Sequence, residues 1–130
     1  MKNTGLLHAE LNAIIAMAGH TQMIVIADVG LPIPEGVRRI DLAILPGLPD
    51  VLSVLRAVLG ELVLEHSTIS LEASVKSPEW VANVRQVLPK PPLEISHKDL
   101  KALLPHVLLV VRTGETTPYA NIVLHCGVNF

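Results

Sequence analysis

The feature that most constrains this chain is an unbroken apolar run, Met23 to Ala27. Gly19 and His20 lie before it, and Asp28 with Gly30, Pro32 and Pro34 follows. Five consecutive apolar residues between turn formers read as a strand buried on both faces, the situation of a parallel strand with helices on either side of its sheet. Before it, His8 to Ala18 places Leu11, Ile14, Ile15 and Ala18 at helical spacing, and Gly19 suits the position just past a helix end. Helix, buried strand, then exposed loop is the order of an open α/β sheet. In such sheets ligands are met outside the carboxyl ends of the strands, so Asp28 stands where a small molecule would be held. His20, near it in sequence, is expected to belong to the same polar site.

The rest of the chain repeats this alternation. Arg39 to Ile44 alternates charged and apolar residues as far as Leu42, a short strand, and Pro46, Gly47 and Pro49 make a turn. Asp50 to Leu59 carries Val51, Leu52, Leu55, Val58 and Leu59 at helical spacing, with Gly60 near its end. Ser67 to Ala73 alternates Thr68, Ser70 and Glu72 with Ile69, Leu71 and Ala73, a period of two that predicts a strand. Ser77 before Pro78 predicts a helix start, with the serine as cap and the helix running to about Leu88. Three prolines within Pro89 to Pro92 force a loop. Leu93 to Ile95 is then a brief strand, and Ser96 with Asp99 predicts a capped short helix to about Leu104, which sets His97 in its first turn. Val107 to Val111 and Ile122 to Leu124 are the last strands, joined by the polar loop RTGETTPYAN.

Size and composition narrow the functional classes. A chain of 130 residues makes one domain, 1–130, without a linker. Half of the residues are hydrophobic but only 2% are aromatic, so the core must be aliphatic. With charged residues at 17% and a mean hydropathy of +0.50, much apolar surface is expected to be covered by copies of the same chain. A membrane span is not expected, because the best apolar stretch, Val51 to Leu64, contains Ser53, Arg56 and Glu61. The first residues lack the apolar core of a signal peptide, which points to the cytoplasm. A lone Cys126 makes no internal disulfide, and a net charge of -2 without a basic cluster argues against nucleic acid.

Six histidines are present, but none pairs at the helical spacing of a metal site and no Cys/His cluster forms, so no metal is expected. The phosphate-binding glycine motifs and the nucleophile elbow are absent. Cofactor-free acid–base chemistry remains, and histidine suits it because its ordinary pKa lets it give and take protons near neutrality. His20 leads on that ground, although spacing alone favours a decoration of a helix C-terminus. Asp28 equally fits a carboxylate that caps the turn before Gly30, and His97 a surface residue of a first helical turn. Tyr119 and Asn121 offer a phenol and an amide at another strand end, groups that bind hydroxyls; the alternative is a polar turn with Tyr119 packed locally.

Three blocks go further: MKNTGLLHAELNAIIAMAGHTQMIVIADVGLPIPEGV, IDLAILPGLP and RTGETTPYANIVLHCGV. Through them nearly the whole chain resembles the D-ribose pyranase family, relatives of the fucose mutarotases. The resemblance implies interconversion of the pyranose and furanose forms of D-ribose by ring opening, supplying the furanose for ribokinase, with no cofactor. It implies His20, from the GH pair, as the proton donor. Asp28 then holds the sugar, with His97, Tyr119, Ala120 and Asn121 as further contacts. It also implies a three-layer α/β sandwich with a mainly parallel sheet flanked by helices, and a homodecamer of two pentameric rings with the sugar at a subunit boundary. Val29 stands where an alanine is more usual, adding bulk beside Asp28, and Val51 to Leu93 follows the family only in pattern. Two other readings are a mutarotase for another sugar such as fucose, and a non-catalytic sugar-binding subunit associated with ribose transport. An oligomeric scaffold without a ligand is a third.

Overall fold

A computed structural model describes residues 1–130. Its centre is a sheet in the order β2-β5-β1-β6-β3-β4. The strands are β1 Met23–Ala27, β2 Arg39–Asp41, β3 Leu64–Ser70, β4 Leu93–Ile95, β5 Leu109–Arg112 and β6 Ile122–Cys126. β1, β2 and β5 run parallel, as do β3 and β4, and β6 lies antiparallel between β1 and β3. Five strands therefore point the same way, and β6 alone points back. The helices are α1 Ala9–Met17, α2 Val51–Leu59, α3 Leu71–Lys76, α4 Pro78–Val87 and α5 His97–Leu103.

The central run behaves as its composition requires. Ile24 and Ile26 face one side of the sheet, where Leu11 and Ile14 of α1, Val54, Leu55 and Val58 of α2, and Trp80, Val81 and Val84 of α4 cover them. Val25 and Ala27 face the other side, against Leu31 and Leu100 and Leu104 from α5 and the turn after it. Because a strand sends successive side chains to opposite faces, a five-residue apolar run is what a strand in the middle layer needs. The expected three-layer α/β sandwich with a mainly parallel sheet is thus the fold observed, with the α5 side the thinner layer.

Two local expectations are revised. The alternation Ser67 to Ala73 does not continue as strand: β3 ends at Ser70, whose hydroxyl accepts from the Ala73 amide at 3.2 Å and starts α3. A serine that caps a helix overrides a weak period-two pattern. Ser77 precedes Pro78 at the start of α4 but makes no cap bond; its hydroxyl donates instead to the Pro118 carbonyl at 2.7 Å. Gly19 follows the Ala18 cap of α1, the position expected of it, and the left-handed residue of this loop is Thr21, at φ 69°. Its amide donates to the Cys126 carbonyl at 2.9 Å, which ties this loop to the end of β6.

Candidate functional site

Since β6 alone runs backwards, its start lies at the same edge of the sheet as the carboxyl ends of the other strands. That edge gathers residues far apart in sequence. Asp28 follows β1, Asn121 precedes β6, and His97 opens α5 directly after β4 and Ser96. Tyr119 sits on the loop entering β6 at φ 60°, a left-handed backbone that turns the chain back into the strand. Together with Gly30, Leu31, Pro32 and Pro118 these four side chains line a cavity of about 330 Å³. Ala120, also expected here, is fully buried and packs into the core behind the cavity.

The polar groups are held by one another. The Asn121 carboxamide accepts from the Asp28 amide at 2.8 Å and donates to Asp28 Oδ2 at 2.9 Å, and Asp28 Oδ1 accepts from the Gly30 amide at 3.0 Å. The turn-capping alternative for Asp28 is therefore real, and it is compatible with a binding role: each carboxylate oxygen has one protein donor and a lone pair left for a hydroxyl. His97 is fixed through its amide, which donates to Glu72 Oε2 at 2.7 Å, and through an edge-on contact with the Tyr119 ring at a centroid distance of 5.0 Å. Burial holds the His97 imidazole below the ordinary value, and Lys101 lowers it further against the opposing pull of Glu72 and Asp28. Its Nδ1 is buried without a partner.

His20 is elsewhere. It lies before β1 whereas Asp28 follows it, and the extended backbone from Gln22 to Asp28 separates the two ends by about 20 Å at the usual rise of a strand. The expectation of one polar site holding both is not met within a single chain. His20 lines a different recess, with Ile15, Gly19, Val63 and Val128, and its Nε2 is 3.1 Å from Glu65 Oε1. No group of three or more His, Cys, Asp or Glu side chains is placed to hold a metal ion.

Several residues escaped the sequence reading. Glu115 is buried; its Oε1 accepts from the Val51 amide at the start of α2, and its Oε2 from the Thr117 hydroxyl. Arg112 closes the far part of the edge with two bonds to Asp41, at 3.0 and 3.1 Å, and one to the Val29 carbonyl. Ser77 pins Pro118, next to Tyr119. Glu72 falls in the alternating stretch expected as strand, and nothing in its spacing or in that of Glu65 marks either residue.

Known proteins share this fold and much of this sequence. A chain described as D-ribose pyranase from Variovorax paradoxus is 50% identical over the full length of both proteins. Another so described, from Coprothermobacter proteolyticus, is 48% identical, again over the whole of both. Among solved structures, Bacillus subtilis RbsD complexed with D-ribose superposes with a TM-score of 0.95 at 38% identity, covering all of each chain. The fucose mutarotase of Streptococcus pneumoniae in complex with L-fucose shares the fold at a TM-score of 0.83 and 22% identity, over the full length of both. The model of the RbsD / FucU transport protein family matches residues 1–129, and the chain belongs to that family.

Proposed function

We propose that this protein is a D-ribose pyranase, an isomerase that interconverts the pyranose and furanose forms of D-ribose by opening and reclosing the ring. The observation that carries the reading is the cavity in which Asp28, Asn121, His97 and Tyr119 converge on hydroxyl-sized space. It is joined to full-length likeness to proteins named D-ribose pyranase and to a relative solved with D-ribose.

The chemistry needs one proton-transfer group. The anomeric hydroxyl gives up its proton, the C1–O5 bond breaks with its electron pair passing to O5, and O5 receives a proton, leaving the open-chain aldehyde. Reclosure through another hydroxyl reverses the exchange. His20 is the general acid that protonates the ring oxygen and, as a neutral ring, accepts the hydroxyl proton. Asp28 and Asn121 hold sugar hydroxyls, and His97 and Tyr119 shape the wall, with Ala120 behind them. Acid–base help of roughly 10² to 10⁴ suffices for a reaction that already proceeds in water.

The separation of His20 from Asp28 supports an assembly as the active unit. If both act on one sugar, they come from two copies of the chain, and the active unit is a homo-oligomer in which His20 of one subunit meets the cavity of its neighbour. Exposed Leu7, Met17, Ile44, Val75 and Leu93 are the kind of surface such an assembly covers. A decamer of two five-membered rings is the form the family resemblance favours. No helix is long and apolar enough to cross a membrane, and the proposed place of action is the cytoplasm, where the furanose product would meet ribokinase.

The test is saturation-transfer NMR on ribose. The protein accelerates exchange out of the pyranose form, and His20→Ala abolishes that acceleration while ribose binding survives. Binding without acceleration by the unaltered protein would favour the sugar-binding subunit instead, and faster exchange of fucose than of ribose the other mutarotase.

A further inference from the structure

We propose that Glu65 is a positioning residue for the proton transfer: its carboxylate accepts the Nε2 proton of His20, so that the neutral ring presents an unprotonated Nδ1 to the sugar. This rests on the role of His20 given above. An ionised carboxylate only accepts hydrogen bonds, so at 3.1 Å the shared proton belongs to Nε2 and the other ring nitrogen is left as the base.

The backbone is built to deliver this contact from two sides of β6. On one side, the Thr21 amide bonds the Cys126 carbonyl and the Cys126 amide bonds the Gln22 carbonyl, at 2.9 and 2.8 Å, which clamps the His20 loop to the end of β6. On the other side, the β3–β6 ladder shifts register between Leu64, opposite Cys126, and His66, opposite His125. Glu65 is the additional residue in that step. An extra residue of this kind re-aims a side chain that regular alternation would send elsewhere. Gly127 allows the approach, since a Cβ there would lie 3.2 Å from the Glu65 amide nitrogen.

The electrostatics agree. The hydrogen bond from His20 is the largest influence holding the Glu65 carboxyl below its ordinary range, with the charges of His20, His66 and Lys90 acting in the same direction. His66 stacks on His125 at a centroid distance of 3.9 Å, and Glu61 and Cys126 line the recess with His20. As a stabilising ion pair the contact counts for little, because both side chains are more than two-fifths exposed and water screens them. Its consequence is orientation. Nδ1 takes the anomeric proton while Nε2 stays bonded to the carboxylate behind it, and the proton returns to O5.

The experiment measures ribose exchange and ribose binding with the assembled wild-type protein, Glu65→Gln, Glu65→Ala and His20→Ala. In Glu65→Ala the expected result is a fall in kcat of about tenfold or more with ribose affinity unchanged. Glu65→Gln falls less, because its carbonyl oxygen still accepts from Nε2. Unaltered kcat in Glu65→Ala, while His20→Ala is inactive, overturns the role of Glu65. Loss of ribose binding in Glu65→Ala overturns it too. Full activity in His20→Ala would instead overturn the reading on which it rests.

Discussion

The Asn121 carboxamide bonds both the backbone amide and the carboxylate of Asp28, at 2.8 and 2.9 Å, across a sequence separation of 93 residues. This pair locks the end of β1 to the start of β6 and fixes which way the carboxylate faces. Asn121→Asp sets two carboxylates against each other and leaves Asp28 Oδ2 without its donor. Ribose affinity is expected to fall by at least about tenfold, with about 1–3 kcal/mol of stability lost. Isothermal titration and thermal melting measure the two effects separately.

Ser77 reaches the same site indirectly, since its hydroxyl holds the Pro118 carbonyl beside Tyr119. Ser77→Ala removes one buried hydrogen bond, worth about 1 kcal/mol, and frees the loop that carries the phenol. The expected outcome is a severalfold rise in KM for ribose with kcat little changed, read from exchange rates across a range of sugar concentrations.

Gly114 tests the frame around the site. A Cβ there would lie 2.6 Å from the carbonyl oxygens of both Leu45 and Leu48, and these are backbone atoms that cannot swing away. Gly114→Ala is expected to destabilise the fold by about 1–3 kcal/mol through overpacking, seen as a lower melting temperature.

Two imidazoles set the acid response. Burial depresses His97, with Lys101 adding to it, and burial depresses His125, with His66 adding to it. In each case the unfolded chain takes up the proton first as pH falls through the ordinary value of 6.5. Stability is therefore fully present above that value and is lost as pH falls below it toward the folded values. Melting temperature should drop across this window, and His97→Gln should flatten the slope.

The chain gives away its middle layer more readily than its site. Met23–Ala27 was legible to the residue because a strand covered on both faces leaves no polar position to confuse the pattern. Leu93–Ile95 and the Ser96 cap were legible from the prolines and the serine around them. The stretch after Ser70 was misread because alternation over four residues is weak beside a hydroxyl that caps a helix. The partnership of Asp28 with Asn121 depends on the reversed direction of β6, which no local pattern encodes. The adjacency of His20 and Asp28 in sequence misled for a physical reason: an extended strand between them carries the two to opposite edges of the sheet.

That separation makes the central claim testable by mixing two defective proteins. His20→Ala and Asp28→Ala are each expected to lack ribose exchange activity alone. If His20 of one chain serves the cavity of the next, co-assembled variants form some sites with both wild-type residues, roughly a quarter of them after random mixing in equal amounts. The account predicts that exchange measured by saturation-transfer NMR returns to about that fraction of the wild-type rate. No recovery in assemblies shown to contain both variants, or full exchange by His20→Ala on its own, would contradict it.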